Sequence, residues 1–311
     1  MLTLGIDTSN YATSLAVVDA ARKEVVCAKK RFLPVKQGEL GMRQSEALFH
    51  HTTALPALLE ELRAVVPPAL FAAIGAVGVS NAPRKAPGSY MPCFLAGLSF
   101  AAAFAAGAGV PVVQASHQQG HLAAARLGAG LPAEGPVLLF HASGGTTELL
   151  LADGYEAGAA LGGTLDLYAG QAVDRLGVRL GYAFPAGEAV SALAATCGEE
   201  VHPKPSLKGM YFHLSGLQNQ CERLLEEGKA PAYAAKFCLA GIAAALGGSL
   251  LAAQAEYPGL PVVCAGGVMS SGLVRATLEN MLDNIHFAPP ALSADNAVGV
   301  ALIAAKEAPR G

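Results

Sequence analysis

One arrangement occurs twice in this chain and limits its fold more than any other feature. An apolar strand runs into a small polar turn, and a second strand runs back. The first copy reads Leu2 to Asp7, then Thr8-Ser9-Asn10, then Thr13 to Val18. The second reads Val137 to Phe140, then Ser143-Gly144-Gly145-Thr146-Thr147, then Glu148 to Ala152. A third strand over Glu24 to Arg31 extends the first hairpin into a meander, and Asp153-Gly154 supplies the next turn of the second. Internal repetition outranks local patterns as a guide to architecture. Two such hairpins, each opening its own α/β unit, are what a duplicated fold of two lobes, each a mixed sheet flanked by helices, requires; the alternative is the strand–turn–strand pieces that any α/β protein contains.

The remaining elements fit that plan. Leu48, Leu55, Leu58, Leu59 and Leu62 recur at helical spacing, which predicts a helix over 45–65 closed by Pro67-Pro68. A buried strand follows over 74–79. The Ala-rich run from Cys93 to Val113 is broken by Gly97, Gly107, Gly109 and Pro111, and reads as a helix and a strand rather than a membrane span. An Ala-rich helix is expected over 232–255 and a strand over 261–265, leading into Gly266-Gly267. Helices are expected over 271–284 and from Asp295 to Glu307. Lobe I is set at 1–125 plus 290–311, and lobe II at 126–289.

Composition narrows the function classes. Of 311 residues, 52% are hydrophobic and 14% charged, with a formal net charge of −3. A chain of this balance is not a generally basic nucleic-acid binder, so any RNA contact needs a local patch. Lys29, Lys30, Arg31, Arg84, Lys85, Lys204 and Lys208 are the candidates, set against a solvated surface. The six cysteines include no CxxC pair, which suits reduced thiols and a cytoplasmic location with no membrane. The opening Met1-Leu2-Thr3-Leu4 lacks the pattern of a signal peptide.

Chemistry concentrates in a few places. Gly144 and Gly145 sit between two strands, where backbone amides without side chains can approach a phosphate. Gly266 and Gly267 follow a strand and precede a helix, the place where open α/β sheets bind ligands. Neither loop matches a Walker or a dinucleotide pattern. His117 and His121 are four apart, so on a helix both imidazoles reach one ion or, alternatively, stand solvated side by side. Gln118 occupies the position where a zincin protease carries its general-base Glu. Asp295 is either a helix cap or a third metal ligand. Asp174 either pairs with Arg175 on the surface or accepts a ribose hydroxyl.

In order along the chain, these pieces resemble the TsaD family of tRNA adenosine threonylcarbamoyltransferases, also called the glycoprotease family. Leu4-Gly5-Ile6-Asp7-Thr8-Ser9 resembles its opening hairpin, and His117 and His121 fall on its HxxxH pair. Ser143-Gly144-Gly145 falls on its SGG loop, Gly170 to Asp174 on its GEAFD segment, and Pro185-Ala186-Gly187 on its PGG. Phe212 to Leu217, Ala265 to Val268 and Ala294 to Asn296 resemble its FSFSGL, AGGV and TDN runs.

The resemblance implies an actin-like (ASKHA) fold and transfer of threonylcarbamoyl from its adenylate to N6 of the adenine beside the tRNA anticodon. It implies one divalent metal, iron or zinc, on His117, His121 and Asp295, and an adenylate or ATP in the cleft. The implied ligand set is Thr8, Ser9, the loop His141-Ala142-Ser143-Gly144-Gly145, Asp174, Gly187, Gly266, Gly267 and Ser271. Implied partners are tRNA, TsaB-like and TsaE-like proteins, and a homodimer or heterodimer. Departures point to a divergent paralogue: the acidic pair after the first strand is replaced across Asn10, Tyr11 and Ala12, the Gln after the SGG loop becomes Glu148, and the Asn of a SAN run falls on Ser271. A related transferase with another acceptor is therefore an alternative; related HypF-type enzymes transfer carbamoyl groups. A small-molecule kinase using Asp7 and a non-catalytic TsaB-like partner are the others.

Overall fold

The computed structural model describes residues 1–9, 12–34, 42–293 and 296–309. The first half contains β1 (Leu2–Asp7), β2 (Ala12–Asp19), β3 (Glu24–Phe32), α1 (Gln44–Val65), α2 (Pro68–Ala72), β4 (Ile74–Ala82), α3 (Phe94–Ala108), β5 (Val112–Ser116) and α4 (His117–Gly128). The second half begins with β6 (Pro136–Ala142), β7 (Thr147–Asp153), β8 (Glu156–Thr164), α5 (Ala169–Arg179), α6 (Gly187–Ala195), β9 (Ser206–Lys208), β10 (Tyr211–His213), α7 (Ser215–Glu226) and α8 (Pro231–Glu256). It ends with β11 (Val262–Ala265), α9 (Gly272–Met281), β12 (Ile285–Phe287), α10 (Pro290–Ser293) and α11 (Val298–Glu307).

The repeat read from the sequence is a repeat of topology. The first sheet is ordered β3-β2-β1-β4-β5, and the second contains β8-β7-β6-β11-β12 in the same relation, extended beyond β8 by β10 and β9. In each, two antiparallel pairings form the meander, and two parallel strands follow on the other side. Both sheets are mixed and covered on both faces, as buried parallel strands require.

Strand alternation decides what each face meets. In the first sheet, Leu4, Ile6, Leu15 and Val17 pack against Leu55, Leu58 and Leu62 of α1 and Ala101 of α3. Ala16 and Val18, on the other face, meet Ala123 of α4 and Val300 and Ala301 of α11. In the second sheet, Leu138, Phe140 and Leu149 face Val173 and Leu176 of α5 and Ile242 and Leu246 of α8. Val137, Leu139, Leu150 and Ala152 face Leu122 and Ala125 of α4. Helix α4 therefore lies between the two sheets, and the lobe boundary expected at 125 falls inside it. Glycine makes that close packing feasible: a Cβ on Gly299 of α11 would overlap the Gly120 backbone of α4, and one on Gly5 would overlap the Ala297 carbonyl.

Some boundaries differ from the sequence reading. The helix expected to reach residue 284 stops at Met281, and the three-residue strand β12 follows. Asn284, at positive φ, makes the turn between them. The last helix begins at Val298 rather than at 295, and the Val298 N–H donates to the Asn296 side chain. Pro68 opens α2 instead of only closing α1, a position where its missing N–H costs nothing. By length and composition α8 could cross a membrane, but Ala235, Leu239, Ile242, Leu246 and Leu250 are buried in the second core.

Candidate functional site

The helix between the sheets starts at the chemistry. Ser116 caps α4 in a reciprocal capping box: its hydroxyl accepts the Gln119 N–H at 3.2 Å, and its own N–H donates to Gln119 Oε1 at 2.8 Å. That cap makes His117 the first helical residue and puts His121 one turn later on the same face. Their Nε2 atoms are 2.8 Å apart. On the other side of its ring, His117 Nδ1 lies 3.1 Å from Asp7 Oδ1, at the end of β1. Asp7 is 1% exposed and accepts the Ser9 hydroxyl on its other oxygen. Burial would push the Asp7 carboxyl up, yet the His117 charge and hydrogen bonds from His117 and Ser9 hold it below the ordinary carboxylate value.

The residue types would fit a ligand pair. A carboxylate on Nδ1 fixes the tautomer and directs Nε2 toward the neighbouring imidazole, where an ion could be shared. Two converging imidazole nitrogens suit zinc or iron better than magnesium, which prefers oxygen. Residue Asp295, expected as the third ligand, lies outside the described residues. Among the described residues, no three His, Cys, Asp or Glu side chains are grouped to hold an ion. Strand alternation turns His141 of β6 toward α4, and its ring centroid is 4.5 Å from that of His121.

Beyond His141 the chain enters the Ser143 turn, closed by the Ser143 N–H donating to the Thr146 carbonyl at 2.7 Å. Gly144 and Gly145 are exposed. The first turn of α5 supports this loop, with the Gly170 N–H donating to the Ser143 carbonyl at 3.1 Å. A Cβ on Gly170 would overlap the Gly144 nitrogen, so only glycine allows this approach. Ser143 and Gly144 line a cleft of about 680 Å³ with Asp174, Gly187, Gly267 and Ser271. Its apolar wall is made by Val173, Leu239 and Val268, with Phe32 from the first sheet and Pro290 at its edges.

Asp174 is buried and accepts the Ala186 N–H at 2.8 Å. The surface pair with Arg175 does not form; Arg175 donates to Gln218. Burial raises the Asp174 carboxyl above its ordinary value, opposed by the Ala186 hydrogen bond. The Ser271 hydroxyl is buried, with no hydrogen-bond partner among the described residues. Gly266, at φ 99°, is tied to Ser293 in both directions and sits against the Ala142 carbonyl, behind the cleft rather than in it.

The structure does not bring Thr8 and Ser9 to this cleft. The Thr8 hydroxyl donates to the Cys93 carbonyl at 3.1 Å and accepts the Gly97 N–H at 3.2 Å, and both residues are buried. Asp7, the base a kinase would need, is spent on His117 and Ser9. Three of the basic residues considered for RNA are also engaged: Arg31 with Glu61, Arg84 with Glu148 and Lys85 with Glu156. Sequence reasoning missed Asp7 as the partner of His117. The available signal was an ionisable residue closing a strand that is otherwise uncharged and mostly apolar.

Comparisons with known proteins address the fold and the family. In overall shape the chain resembles full-length HypF (TM-score 0.60, 13% identity, 98% of this chain, 46% of that one). It also resembles a ROK-family glucokinase from Streptomyces griseus (TM-score 0.56, 15% identity, 98% and 100% covered). At such identities the likeness shows the actin-like fold alone. In sequence it is 31% identical to a tRNA N6-adenosine threonylcarbamoyltransferase of Thermus thermophilus, over 100% of this chain and 94% of that one. Its identity to the enzyme of that name from Symbiobacterium thermophilum is also 31%, over 96% and 89%. Residues 35–302 match the profile of the TsaD family, described as tRNA N6-adenosine threonylcarbamoyltransferase, and the chain belongs to that family.

Proposed function

We propose that this protein is an acyltransferase that moves a threonylcarbamoyl group from its adenylate to N6 of an adenine in tRNA. The observation that carries the reading is one cleft joining the Ser143 turn, Asp174, Gly187 and Ser271, next to a carboxylate-oriented imidazole pair. In this reading the apolar wall of Val173, Leu239 and Val268 receives the adenine. Asp174 accepts a ribose hydroxyl, and the exposed amides of Gly144 and Gly145 face the phosphate. N6 attacks the carbamoyl carbon and a C–N bond forms. The bond from that carbon to the phosphate oxygen breaks, AMP leaves with the electron pair, and N6 gives up a proton.

His117 and His121 would hold a divalent zinc or iron ion, with Asp295 as the implied third ligand. Such an ion supplies Lewis acidity toward carbonyl or phosphate oxygen. The role of Asp7 is to orient His117. TsaB-like and TsaE-like proteins, and a dimer, belong to the same proposal. A second reading, transfer to another acceptor, draws on the engagement of Arg84 and Lys85 within the protein.

The test is transfer of labelled threonylcarbamoyl from its adenylate to unmodified tRNA, with bound metal measured on the same preparation. Transfer that disappears together with the metal in a His117→Ala/His121→Ala variant is the expected result. Metal bound without transfer, even with partner proteins added, would sink the tRNA reading and favour the second.

A further inference from the structure

Two consecutive cations, two consecutive amides and two carboxylates meet where the two sheets face each other. Arg84 and Lys85 lie on the connection from β4 to α3, part of the first half. Gln118 and Gln119 lie in the first turn of α4, directly after His117. Glu148 and Glu156 belong to β7 and β8 of the second sheet. Arg84 Nη2 is 3.1 Å from Glu148 Oε2, and Gln118 Nε2 donates to Glu148 Oε1 at 2.7 Å. Lys85 Nζ donates to Glu156 Oε1 at 2.8 Å, and Gln119 Nε2 donates to the same oxygen at 3.0 Å. The Gln118 N–H also donates to the Pro83 carbonyl at 3.0 Å, so the connection and the helix turn are joined directly.

We propose that the Arg84–Glu148–Gln118 strap is a positioning device for the imidazole pair. It fixes the first turn of α4 against the second sheet and thereby sets His117 and His121 relative to the strand that leads into the Ser143 turn. Register supports this: Glu148 is the cross-strand partner of His141, so both face α4 from neighbouring positions. One carboxylate thus holds a cation from the first half and the residue next to His117, beside the histidine that touches His121.

The two rungs are unequal, and exposure decides between them. The side chain of Glu148 is 8% exposed and that of Glu156 is 55%. Removing one partner of a buried charged hydrogen-bonded group leaves the other uncompensated, whereas an exposed pair is screened and worth little. The Arg84 rung therefore carries the positioning and the Lys85 rung reinforces it. On this reading Arg84 and Lys85 are not contacts for a polynucleotide.

The experiment uses the whole protein with cobalt(II) as the probe, read by affinity and by its visible d–d spectrum. Thermal unfolding is measured without metal, and tRNA affinity against salt. Arg84→Met and Glu148→Gln should each weaken cobalt binding about tenfold and alter the spectrum, the range expected of residues that orient ligands. The double variant should be no weaker than either single one, as coupled residues require. Lys85→Met should stay within about twofold, as an exposed pair allows, and Arg84→Lys, which keeps the charge, should recover most of the affinity. Unchanged cobalt affinity and spectrum with a lowered unfolding temperature would overturn the proposal and leave a purely structural contact. A tRNA salt slope reduced by about one per cation removed, with cobalt unaffected, would overturn it in favour of RNA contacts. The inference rests on the metal reading of the histidine pair and not on the acceptor. Wild-type protein that binds cobalt without modifying tRNA refutes the transfer alone, and wild-type protein that binds no cobalt refutes the strap's role.

Discussion

The turn after β1 and the turn after β6 occupy equivalent places, because the two sheets share one strand order and one set of strand directions. Their residues are used in opposite ways. Thr8 and Ser9 turn inward, one bonded to the Cys93 carbonyl and the Gly97 amide, the other to Asp7. Gly144 and Gly145 stay exposed, with Ser143 and Gly144 on the wall of the cleft. A hydroxyl-bearing residue at the end of a buried strand can satisfy itself against neighbouring backbone. A glycine cannot, and leaves its backbone for a ligand. The shared topology holds two polar turns, and side-chain size separates one that supports Asp7 behind His117 from one that opens on the cleft proposed for the nucleotide.

The sharpest way to break this division is Asp7→Asn. If the first turn serves the imidazole pair, the variant loses the charge that orients His117, and metal affinity falls about 10- to 100-fold, the range for such partners. Nucleotide affinity should stay within about twofold. Equilibrium metal competition and nucleotide titration on one preparation measure both. A comparable loss in both would show that the turns act as one site.

A reciprocal pair sharpens it further. Thr8→Val keeps the shape and removes the hydroxyl that the Gly97 N–H needs, so stability should fall by about 1–3 kcal/mol with nucleotide affinity unchanged. Gly170→Ala pushes a methyl group into the Gly144 nitrogen and displaces the second turn. Nucleotide affinity should fall about tenfold, which is about 1.4 kcal/mol, while metal affinity holds. Denaturant unfolding and nucleotide titration separate the two. A nucleotide defect in Thr8→Val would return Thr8 to the ligand set implied by the resemblance.

How much of this the sequence carries depends on distance along the chain. The twin hairpins, the α1 helix and the HxxxH pair are local patterns, since burial of one face writes a period of two or 3.6 into neighbouring residues. Strand β12 has three residues, too few to write any period. The orientation of Thr8 and Ser9 depends on Cys93 and Gly97, and the bond from His117 to Asp7 spans 110 positions. The Arg84–Glu148 strap exists only because α4 is held between two sheets. Periodicity reports that a residue is buried and stays silent about which distant residue it meets. The motif order did bring Ser143, Asp174 and Gly187 onto one cleft wall, since Ser143 directly follows β6, Gly187 opens α6 and Asp174 lies in the second turn of α5, at or near element ends where local signals are strongest.

The smallest expected effect concerns the carboxylates. Each half holds one below its ordinary value: Asp7 in the first, and Asp166 in the loop before α5. Burial acts to raise Asp166, but the Ser215 hydroxyl and the amides of Leu214, Leu167 and Ser215 bring it down to about 2 from 3.8. These bonds secure the first turn of α7, whose cap residue Leu214 offers no side-chain acceptor of its own. A folded-state value below the unfolded one means stabilisation that is full above about 3.8 and is lost as the pH falls toward about 2. Asp166→Asn should therefore flatten the fall in stability across that window and lower stability modestly at neutral pH, because the site is partly open to solvent. The metal-type pair, in the other half, should be untouched. Thermal unfolding of both proteins between pH 2 and pH 7 tests this. If the slopes are equal across the window, Asp166 does not hold α7 as a carboxylate, and Asp7 is left as the one carboxylate of this pair with a structural use for its charge.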